Sequence, residues 1–214
     1  MTNPSFHIIQ CNNNDCRFRF PKLYSSSNDI HCPKCGSAAS IMIQSFSNQK
    51  TPHDCLPKPY PQVSILLDNI RSIYNVGSMM RTGDGVGVKH FYLTGITATP
   101  EHKKLNKTGL GAELQTSWSY HPNGLDIAEK LKNEDCTIWS SESSPSSVSM
   151  LELNMKPLNH KNIVLVFGNE NSGVDPGILK ISDMIVSIPM QGYKDSLNVA
   201  TAFGIAVYAI RYLL

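Results

Sequence analysis

The pattern of apolar and polar positions divides the chain into two parts. From residue 63 onward, short apolar runs alternate with segments in which apolar residues recur at helical spacing. Strands are predicted at 63–67, 91–93, 137–139, 163–167 and 185–188, and helices at 76–86, 125–132, 176–181 and 197–213. Strands that alternate with helices predict an α/β fold, in which helices cover both faces of a mostly parallel sheet.

The last predicted helix is apolar on nearly every side. Residues 199–210 combine valine, alanine, isoleucine and phenylalanine with few polar side chains. A helix with this composition is buried. The sequence leaves open whether core packing alone buries it or whether a second subunit covers part of it.

Residues 1–45 are polar and rich in cysteine, asparagine and serine, which sets them apart as a small domain before the α/β domain at 63–214. Between the two, the segment 46–62 contains four prolines and is predicted to be an extended linker. Within the α/β domain, the serine-rich stretch 140–149 is predicted to be a surface loop.

Four of the six cysteines lie within the first 35 residues. Cys11 and Cys16 are separated by four residues, and Cys32 and Cys35 by two. Two close pairs of thiols supply the four corners of a tetrahedral Zn²⁺ site, and such a closed site is structural because it leaves no position for a substrate. The spacing therefore predicts a zinc ribbon, and the alternative is four free thiols.

Basic and aromatic residues alternate between the two cysteine pairs. They are Arg17, Phe18, Arg19, Phe20 and Lys22. This pattern suits stacking on unpaired bases together with contacts to phosphates. It suits an ordinary strand equally well, so the ribbon is a candidate RNA contact and no more than that.

Charge and hydropathy narrow the class of protein. The formal net charge is +2, and residues 1–50 carry five basic and two acidic residues, a local net charge of +3. This excess is too small to indicate nucleic-acid binding by itself.

No segment approaches the ~18 apolar residues of a membrane span, and the N-terminus lacks the features of a signal peptide. We therefore expect a cytoplasmic protein with no membrane partner.

Three predicted strands are each followed by a polar or glycine-rich turn and then by helical periodicity. These turns lie at 69–75, 168–173 and 189–198. The turn 168–173 has the glycine spacing of a P-loop but lacks the Lys-Ser/Thr that follows it, and the glycines at 83, 85 and 87 do not fit a dinucleotide-binding pattern. Because parallel strands place their carboxyl ends at the same edge of a sheet, the turns are predicted to converge on one pocket. Its polar residues would be Asn75, Arg81, Glu170, Ser196 and Asn198.

The three segments carry their residues in a specific order. The first contains Asn69-X-Arg71-X3-Asn75-X-Gly77-X3-Arg81-Thr82, the second Phe167-Gly168-Asn169-Glu170-X2-Gly173, and the third Ile188-Pro189-Met190-X-Gly192-X3-Ser196-Leu197-Asn198-Val199. In order, spacing and flanking strands they resemble the three signature motifs of the SpoU/TrmH-type RNA 2′-O-ribose methyltransferases of the SPOUT superfamily. The resemblance covers residues 63–214 and leaves the zinc ribbon outside it.

The resemblance implies a C-terminal trefoil knot, a homodimer, S-adenosylmethionine as the methyl donor, and tRNA or rRNA as the substrate. The positions that match cofactor-binding positions of the family are Thr94, Gly95, Gly168, Ile188, Met190, Ser196 and Leu197. Arg81 matches the central catalytic residue, and the residues that accompany it are Asn75, Glu170, Ser196 and Asn198. A homodimer would also give the apolar last helix a partner.

The chemistry of these side chains suggests their roles. Arginine is a poor base because its guanidinium group stays protonated, so we predict that Arg81 grips a phosphate next to the target ribose. Asn75 would position the arginine or the ribose, and Glu170 would pair with Arg81 or orient it. Ser196 and Asn198 would hold the cofactor and the pocket wall. Taken singly, Asn75 and Ser196 would as readily cap the helices that follow them.

Three other functions stay open on the sequence. The chain could be a non-catalytic RNA-binding protein that keeps the SPOUT fold and the ribbon, in which case it would not bind S-adenosylmethionine. It could methylate a base instead of a ribose. The ribbon could also recruit a protein partner in the absence of RNA.

Overall fold

The computed structural model describes residues 6–23, 30–43, 62–153 and 162–213. The chain divides into two compact units, Met1–Pro57 and Lys58–Leu214. The proline-rich linker predicted at 46–62 lies outside the described residues, apart from Gln62.

The first unit contains a three-stranded antiparallel sheet. β1 (Phe6–Cys11) lies in the centre, with β2 (Arg19–Leu23) on one side and β3 (Ala39–Ile43) on the other. Among the described residues of this unit, the buried hydrophobic side chains are Ile9, Cys11 and Cys32. Because so small a core cannot offset the conformational entropy lost on folding, this unit needs a further source of stability.

The second unit is built on a sheet of seven described strands, and all their pairings are parallel. The strands are β4 (Gln62–Asp68), β5 (Phe91–Thr94), β6 (Trp118–His121), β7 (Cys136–Ser141), β8 (Val148–Ser149), β9 (Asn162–Phe167) and β10 (Met184–Ser187). Their spatial order is β6-β5-β4-β9-β7-β10-β8. The α/β fold with a parallel sheet, predicted from the alternation of strands and helices, is confirmed.

Helices cover both faces of this sheet. They are α1 (Ile73–Val86), α2 (Asn106–Gly109), α3 (Gly124–Asn133), α4 (Pro176–Ile181) and α5 (Val199–Tyr208), the last continuing as a π-helical turn over Ala209–Leu213. Alternate residues of β4 show the two layers. Ile65 and Leu67 belong to the hydrophobic cluster that contains α1 and α5, whereas Leu66 belongs to the cluster that contains α3 and α4.

The order of the strands determines where a site can form. The chain adds β5 and β6 on one side of β4 and then returns to β7 on the other side, and β9 later occupies the position between β4 and β7. In open parallel sheets, ligands bind beyond the carboxyl ends of the strands where the order reverses. The trefoil knot stays a prediction, because strand order alone does not trace the threading of the chain.

Some elements differ from the prediction. β6 and α2 are absent from it because neither segment forms an apolar run. The serine-rich stretch 140–149 is not one loop, since β7 extends through Ser141, which pairs with both β9 and β10, and β8 begins at Val148. The last helix begins at Val199 because Asn198 caps it.

No helix among the described residues is long and apolar enough to cross a membrane.

Candidate active site and metal centre

The structure brings together four of the five polar residues predicted to share a pocket. Asn75 Nδ2 donates to Glu170 Oε1 at 2.9 Å, and Asn198 Nδ2 donates to Asn75 Oδ1 at 3.2 Å. Ser196 lines the same cavity as Glu170 and Asn198. Each of the three motif segments therefore contributes at least one of these side chains, at the edge where β4, β9 and β10 end.

Helix capping accounts for Asn198 but not for Asn75 or Ser196. The cap of α1 is Ser72, whose hydroxyl accepts a hydrogen bond from Asn75 N at 3.3 Å. Asn198 Oδ1 accepts from two backbone N–H groups in the first turn of α5, at 2.9 and 3.3 Å. Ser196 donates to Asp195 at 3.3 Å instead. The capping interpretation is therefore wrong for Asn75 and Ser196.

The Glu170 carboxylate binds the start of α1. Its Oε2 accepts from Arg71 N at 2.8 Å, and its Oε1 accepts from Ser72 N at 3.0 Å as well as from Asn75. Burial raises the pKa of Glu170, but the hydrogen bonds outweigh burial and hold the pKa below its ordinary value of 4.5. The sequence predicts that Glu170 pairs with Arg81 or orients it. The structure places it on α1 because N–H groups at a helix start lack partners within the helix and favour an anion.

We expect Glu170→Gln to reduce the acid sensitivity of the α/β unit. A carboxyl group whose pKa is lower in the folded state stabilises that state above the unfolded-state pKa, and this contribution disappears as the pH falls through the folded-state value. Between about pH 5 and pH 3 the wild type should therefore lose more stability than the variant. Urea unfolding followed by tryptophan fluorescence measures this unit alone, because both tryptophans, Trp118 and Trp139, lie in it. Identical pH dependence in the two proteins would contradict the expectation.

The turn after β9 has no room for a side chain at its first residue. Asn169 and Gly173 exchange two backbone hydrogen bonds, at 3.0 and 2.9 Å. A Cβ placed on Gly168 would lie 2.1 Å from Val174 N. Asn169 Nδ2 also donates to Asn69 O at 2.8 Å, which joins this turn to the end of β4. Gly168 therefore permits the close backbone approach that shapes the site.

Two cavities that share several lining residues lie at this edge of the sheet. The larger, of about 370 Å³, lies at the ends of β7 and β9 and against the segment before α5. The smaller, of about 100 Å³, lies at the end of β10. They share the residues Ser141, Glu142, Ser196, Leu197 and Ala202. The larger volume is in the range of small-molecule sites, about 300 to 1,000 Å³.

The lining of these cavities fits S-adenosylmethionine. Five of the predicted cofactor residues line them, namely Gly168, Ile188, Met190, Ser196 and Leu197. The aliphatic side chains suit an adenine ring, the serine hydroxyl groups suit the polar groups of a ribose, and the carboxylates suit a ligand that carries positive charge.

Thr94 and Gly95, also predicted to bind the cofactor, lie elsewhere. Thr94 is buried, and its hydroxyl donates to Leu67 O at 3.2 Å. Gly95 packs against the side chain of Asn69. Neither residue lines the two cavities, because β4 and β9 separate β5 from β7. The structure therefore gives these two residues a packing role beside β4.

The last residue of β7 and the two residues after it take the place expected of Thr94 and Gly95. Ser141 and Glu142 line both cavities, and Ser143 lines the smaller one. They lie in the serine-rich stretch that the sequence predicts to be a surface loop. A polar triplet directly after a predicted parallel strand is the signal that would have located them.

Arg81 lines a different cleft. This cleft has a volume of about 500 Å³ and is lined by α1, α2 and α5, including Lys107 and Tyr208. Arg81 follows Asn75 by six residues in α1, or about 9 Å along the helix axis. Arg81 therefore lies on the same helix as Asn75 but lines a cleft apart from the cavity that Glu170 and Asn198, the partners of Asn75, line. The two basic side chains give the Arg81 cleft a charge that suits phosphate.

The four cysteines predicted as metal ligands come together. Their sulfur atoms all lie within 4.8 Å of one another, with Cys11 Sγ 3.5 Å from Cys35 Sγ and Cys16 Sγ 3.9 Å from Cys32 Sγ. A tetrahedral ion with Zn–S bonds of about 2.3 Å needs sulfur atoms about 3.8 Å apart. Hydrogen bonds from the side chain and backbone of Ser37, and then from Cys11, lower the pKa of Cys35 to about 6. The residues therefore fit a structural zinc ion.

Sequence comparisons with known proteins all indicate the same family. The model of the SpoU rRNA Methylase family matches residues 62–208, which leaves the four-cysteine unit outside the match. A tRNA (guanosine(18)-2′-O)-methyltransferase of Aquifex aeolicus is 32% identical over 158 residues, which cover 72% of this chain and 71% of that protein. The 23S rRNA (guanosine(2553)-2′-O)-methyltransferase RlmP of Bacillus subtilis is 27% identical over 69% of this chain and 57% of its own length. Three further relatives are matched over 55 to 65% of their lengths.

Solved structures agree with the sequence comparison. The crystal structure of the Aquifex aeolicus TrmH/SpoU tRNA modifying enzyme superposes with a TM-score of 0.61 at 30% identity, over 72% of this chain and 76% of that one. The AdoMet-bound rRNA methyltransferase of Sinorhizobium meliloti superposes with a TM-score of 0.66 at 25% identity, over 79% and 63%. Together with the parallel sheet and the three motif turns that converge at its carboxyl edge, these matches show that the chain belongs to the SpoU methylase family.

Proposed function

We propose that this protein transfers the methyl group of S-adenosylmethionine to a ribose 2′-hydroxyl of RNA. The observation that carries the proposal is the chain of hydrogen bonds Asn198–Asn75–Glu170 beside a cavity that fits this cofactor. The similar Aquifex and Bacillus enzymes are named for 2′-O-methylation of guanosine in tRNA and in 23S rRNA. Transfer RNA and ribosomal RNA are therefore the two substrate classes to test.

The residues around the cavity would align the reacting groups. The bound cofactor supplies an electrophilic methyl group. Ser196 and Leu197 would hold it next to Asn75, whose amide is fixed by Glu170 and Asn198 and would orient the ribose hydroxyl. Glu170 acts as a positioning residue, because both of its carboxylate oxygens already accept hydrogen bonds from α1.

Arg81 would hold the RNA phosphate next to the target ribose. A guanidinium group binds phosphate oxygens through two parallel hydrogen bonds, and Lys107 in the same cleft adds a second positive charge. When the 2′-oxygen takes up the methyl group that the bound cofactor would supply, the phosphate oxygen that Arg81 would hold would accept the hydroxyl proton. A nucleotide chain can span the distance of about 9 Å along α1 between Arg81 and Asn75.

The proposed enzyme is a homodimer whose second copy covers α5. One side of α5 packs against α1, whereas Ile205, Tyr208 and Tyr212 are 40%, 46% and 43% exposed. Large apolar side chains that cluster on a surface mark a contact between proteins. A partner on α5 would lie next to the Arg81 cleft, since Tyr208 lines that cleft.

The zinc ribbon, which we assign to residues 1–45, would support the methyltransferase domain at 63–214 by contacting RNA in the cytoplasm. The Phe18 and Phe20 rings stack with centroids 5.8 Å apart, and Phe18 is 39% exposed. Arg17 and Arg19, on either side of Phe18, are also exposed. Aromatic and guanidinium groups in this arrangement suit unpaired bases and phosphates.

The decisive test is transfer of labelled methyl from S-adenosylmethionine to total tRNA and, separately, to rRNA. Digestion to nucleosides should recover the label as 2′-O-methylribose from one of the two pools. Arg81→Ala should reduce the rate by about 100-fold or more, the usual cost of losing a group that acts on the transition state. Lys130→Ala is the matched control, because Lys130 is an exposed cation on α3 whose ion pair with Glu134 contributes little.

The alternatives give different results. Label on a base would replace ribose methylation by base methylation. No label on either RNA and no binding of the cofactor would leave a non-catalytic RNA-binding protein. Near-normal methyl transfer by Arg81→Ala would contradict the proposal that Arg81 holds the phosphate, but it would leave the proposed methyltransferase activity in place.

A further inference from the structure

Glu142 is positioned by the sheet to form a wall of both cofactor cavities. It directly follows β7, the strand between β9 and β10, and its backbone N–H donates to Val186 O at 3.0 Å. Its Oε2 accepts from Val174 N at 3.0 Å and lies against Gly173, where an added Cβ would come 2.4 Å from this oxygen. The backbone of Glu142 is therefore fixed to β10, and its carboxylate is fixed to the turn that follows β9.

Position distinguishes Glu142 from the other acidic residues of the cavities, because Glu142 lines both, whereas Glu170 lines only the larger and Asp195 only the smaller. The carboxylate of Glu170 accepts three hydrogen bonds at the start of α1, whereas that of Glu142 accepts two, from Val174 N at 3.0 Å and from Ser143 N at 3.2 Å. Among the residues that the structure describes, no lysine, arginine or histidine lines either of the two cavities. A ligand in them therefore meets the charge of Glu142 without a protein cation that would neutralise it.

We propose that Glu142 makes the site prefer the cationic cofactor over its demethylated product. S-adenosylmethionine carries one more positive charge than S-adenosylhomocysteine, because methyl transfer converts the sulfonium to a neutral thioether. A carboxylate in the shared wall attracts the cofactor more strongly than the product, so the product leaves more readily after each reaction. This inference rests on the proposed function, since it concerns the cofactor assigned there.

The test compares the affinities of wild type and Glu142→Gln for three ligands by calorimetry. These are S-adenosylmethionine, S-adenosylhomocysteine, and sinefungin, in which a protonated amine replaces the sulfonium. Glutamine keeps the shape of the side chain and an oxygen that accepts from Val174 N. We expect the Kd of both cationic ligands to rise about 10-fold, and the Kd of the neutral product to change less than about twofold.

Each outcome decides the proposal. Equal weakening of all three ligands would mean that Glu142 only holds the turn in place. Unchanged affinities would mean that the charge of Glu142 does not affect the bound ligand. Either result overturns the inference. Glu129→Gln, which removes a carboxylate from the exposed side of α3, should leave all three affinities unchanged. If wild type binds none of the ligands, the proposed function fails and this inference with it, whereas binding by wild type with no selective loss in Glu142→Gln overturns this inference alone.

Discussion

Gly168→Ala is expected to weaken cofactor binding and to destabilise the α/β unit by about 3 kcal/mol or more. The added Cβ would lie 2.1 to 2.3 Å from three backbone atoms of Gly173 and Val174. Backbone atoms cannot rotate away as a flexible side chain can. The turn would have to move, and the paired hydrogen bonds between Asn169 and Gly173 would be lost. Methyl transfer should fall by about 100-fold, because a displacement of about 1 Å is enough for such a loss.

Gly192→Ala provides the matched control. Gly192 also belongs to a motif, but it is exposed and no heavy atom lies within 4 Å of an added Cβ. Its substitution should change the free energy of unfolding by less than about 0.5 kcal/mol. Cofactor titration and urea unfolding of both variants measure the contrast. If Gly168→Ala bound the cofactor as tightly as Gly192→Ala, the close approach at Gly168 would not matter to the site.

Removal of zinc is expected to unfold the first unit and leave the second folded. A structural zinc site of this kind contributes about 10 to 16 kcal/mol of apparent binding free energy. The described part of the first unit, residues 6–23 and 30–43, offers little else to hold it, because two of its three buried hydrophobic side chains, Cys11 and Cys32, belong to the predicted ligand set. Chelation should make the segment 6–43 susceptible to protease while 62–213 stays resistant.

Metal analysis of single variants tests which cysteines bind the zinc ion. The wild-type chain should hold one zinc ion, and Cys32→Ser should lose it, since a three-thiolate site binds far more weakly. Cys136→Ser is the control, because Cys136 lies in β7, outside the cluster. Zinc retained in full by Cys32→Ser would contradict the assignment of the four ligands.

The sequence predicted the fold where patterning is strong. β9 is buried over five consecutive apolar residues, and α4 begins at Pro176 behind the capping Asp175, so both were correctly placed. The elements that it missed have weak patterns. Trp118–His121 forms an edge strand in which Ser119 makes hydrogen bonds to two histidines. This segment contains no apolar run from which a strand could have been predicted.

The candidate site was predictable in part. Motif order and the carboxyl-edge rule identified Asn75, Glu170, Ser196 and Asn198 as neighbours, and spacing alone identified the four thiols. Three assignments depended on facts that no local pattern contains. Thr94 and Gly95 were displaced from the cofactor site because β4 and β9 separate β5 from β7. Glu170 bonds to α1 because its turn faces the start of that helix.

The sequence by itself thus determined the family, the alternation of elements and the residue types of the site, because these follow from local spacing and side-chain chemistry. The tertiary structure decided which strand ends adjoin, and with them the choice of Glu142 over Thr94 as a cavity residue. It also distinguished Gly168, where an added Cβ would clash with backbone atoms, from Gly192, where it would meet none, although both are glycines of a signature motif. The physical reason is that strand order and backbone contacts join residues far apart in the chain, and only the folded packing specifies those distances.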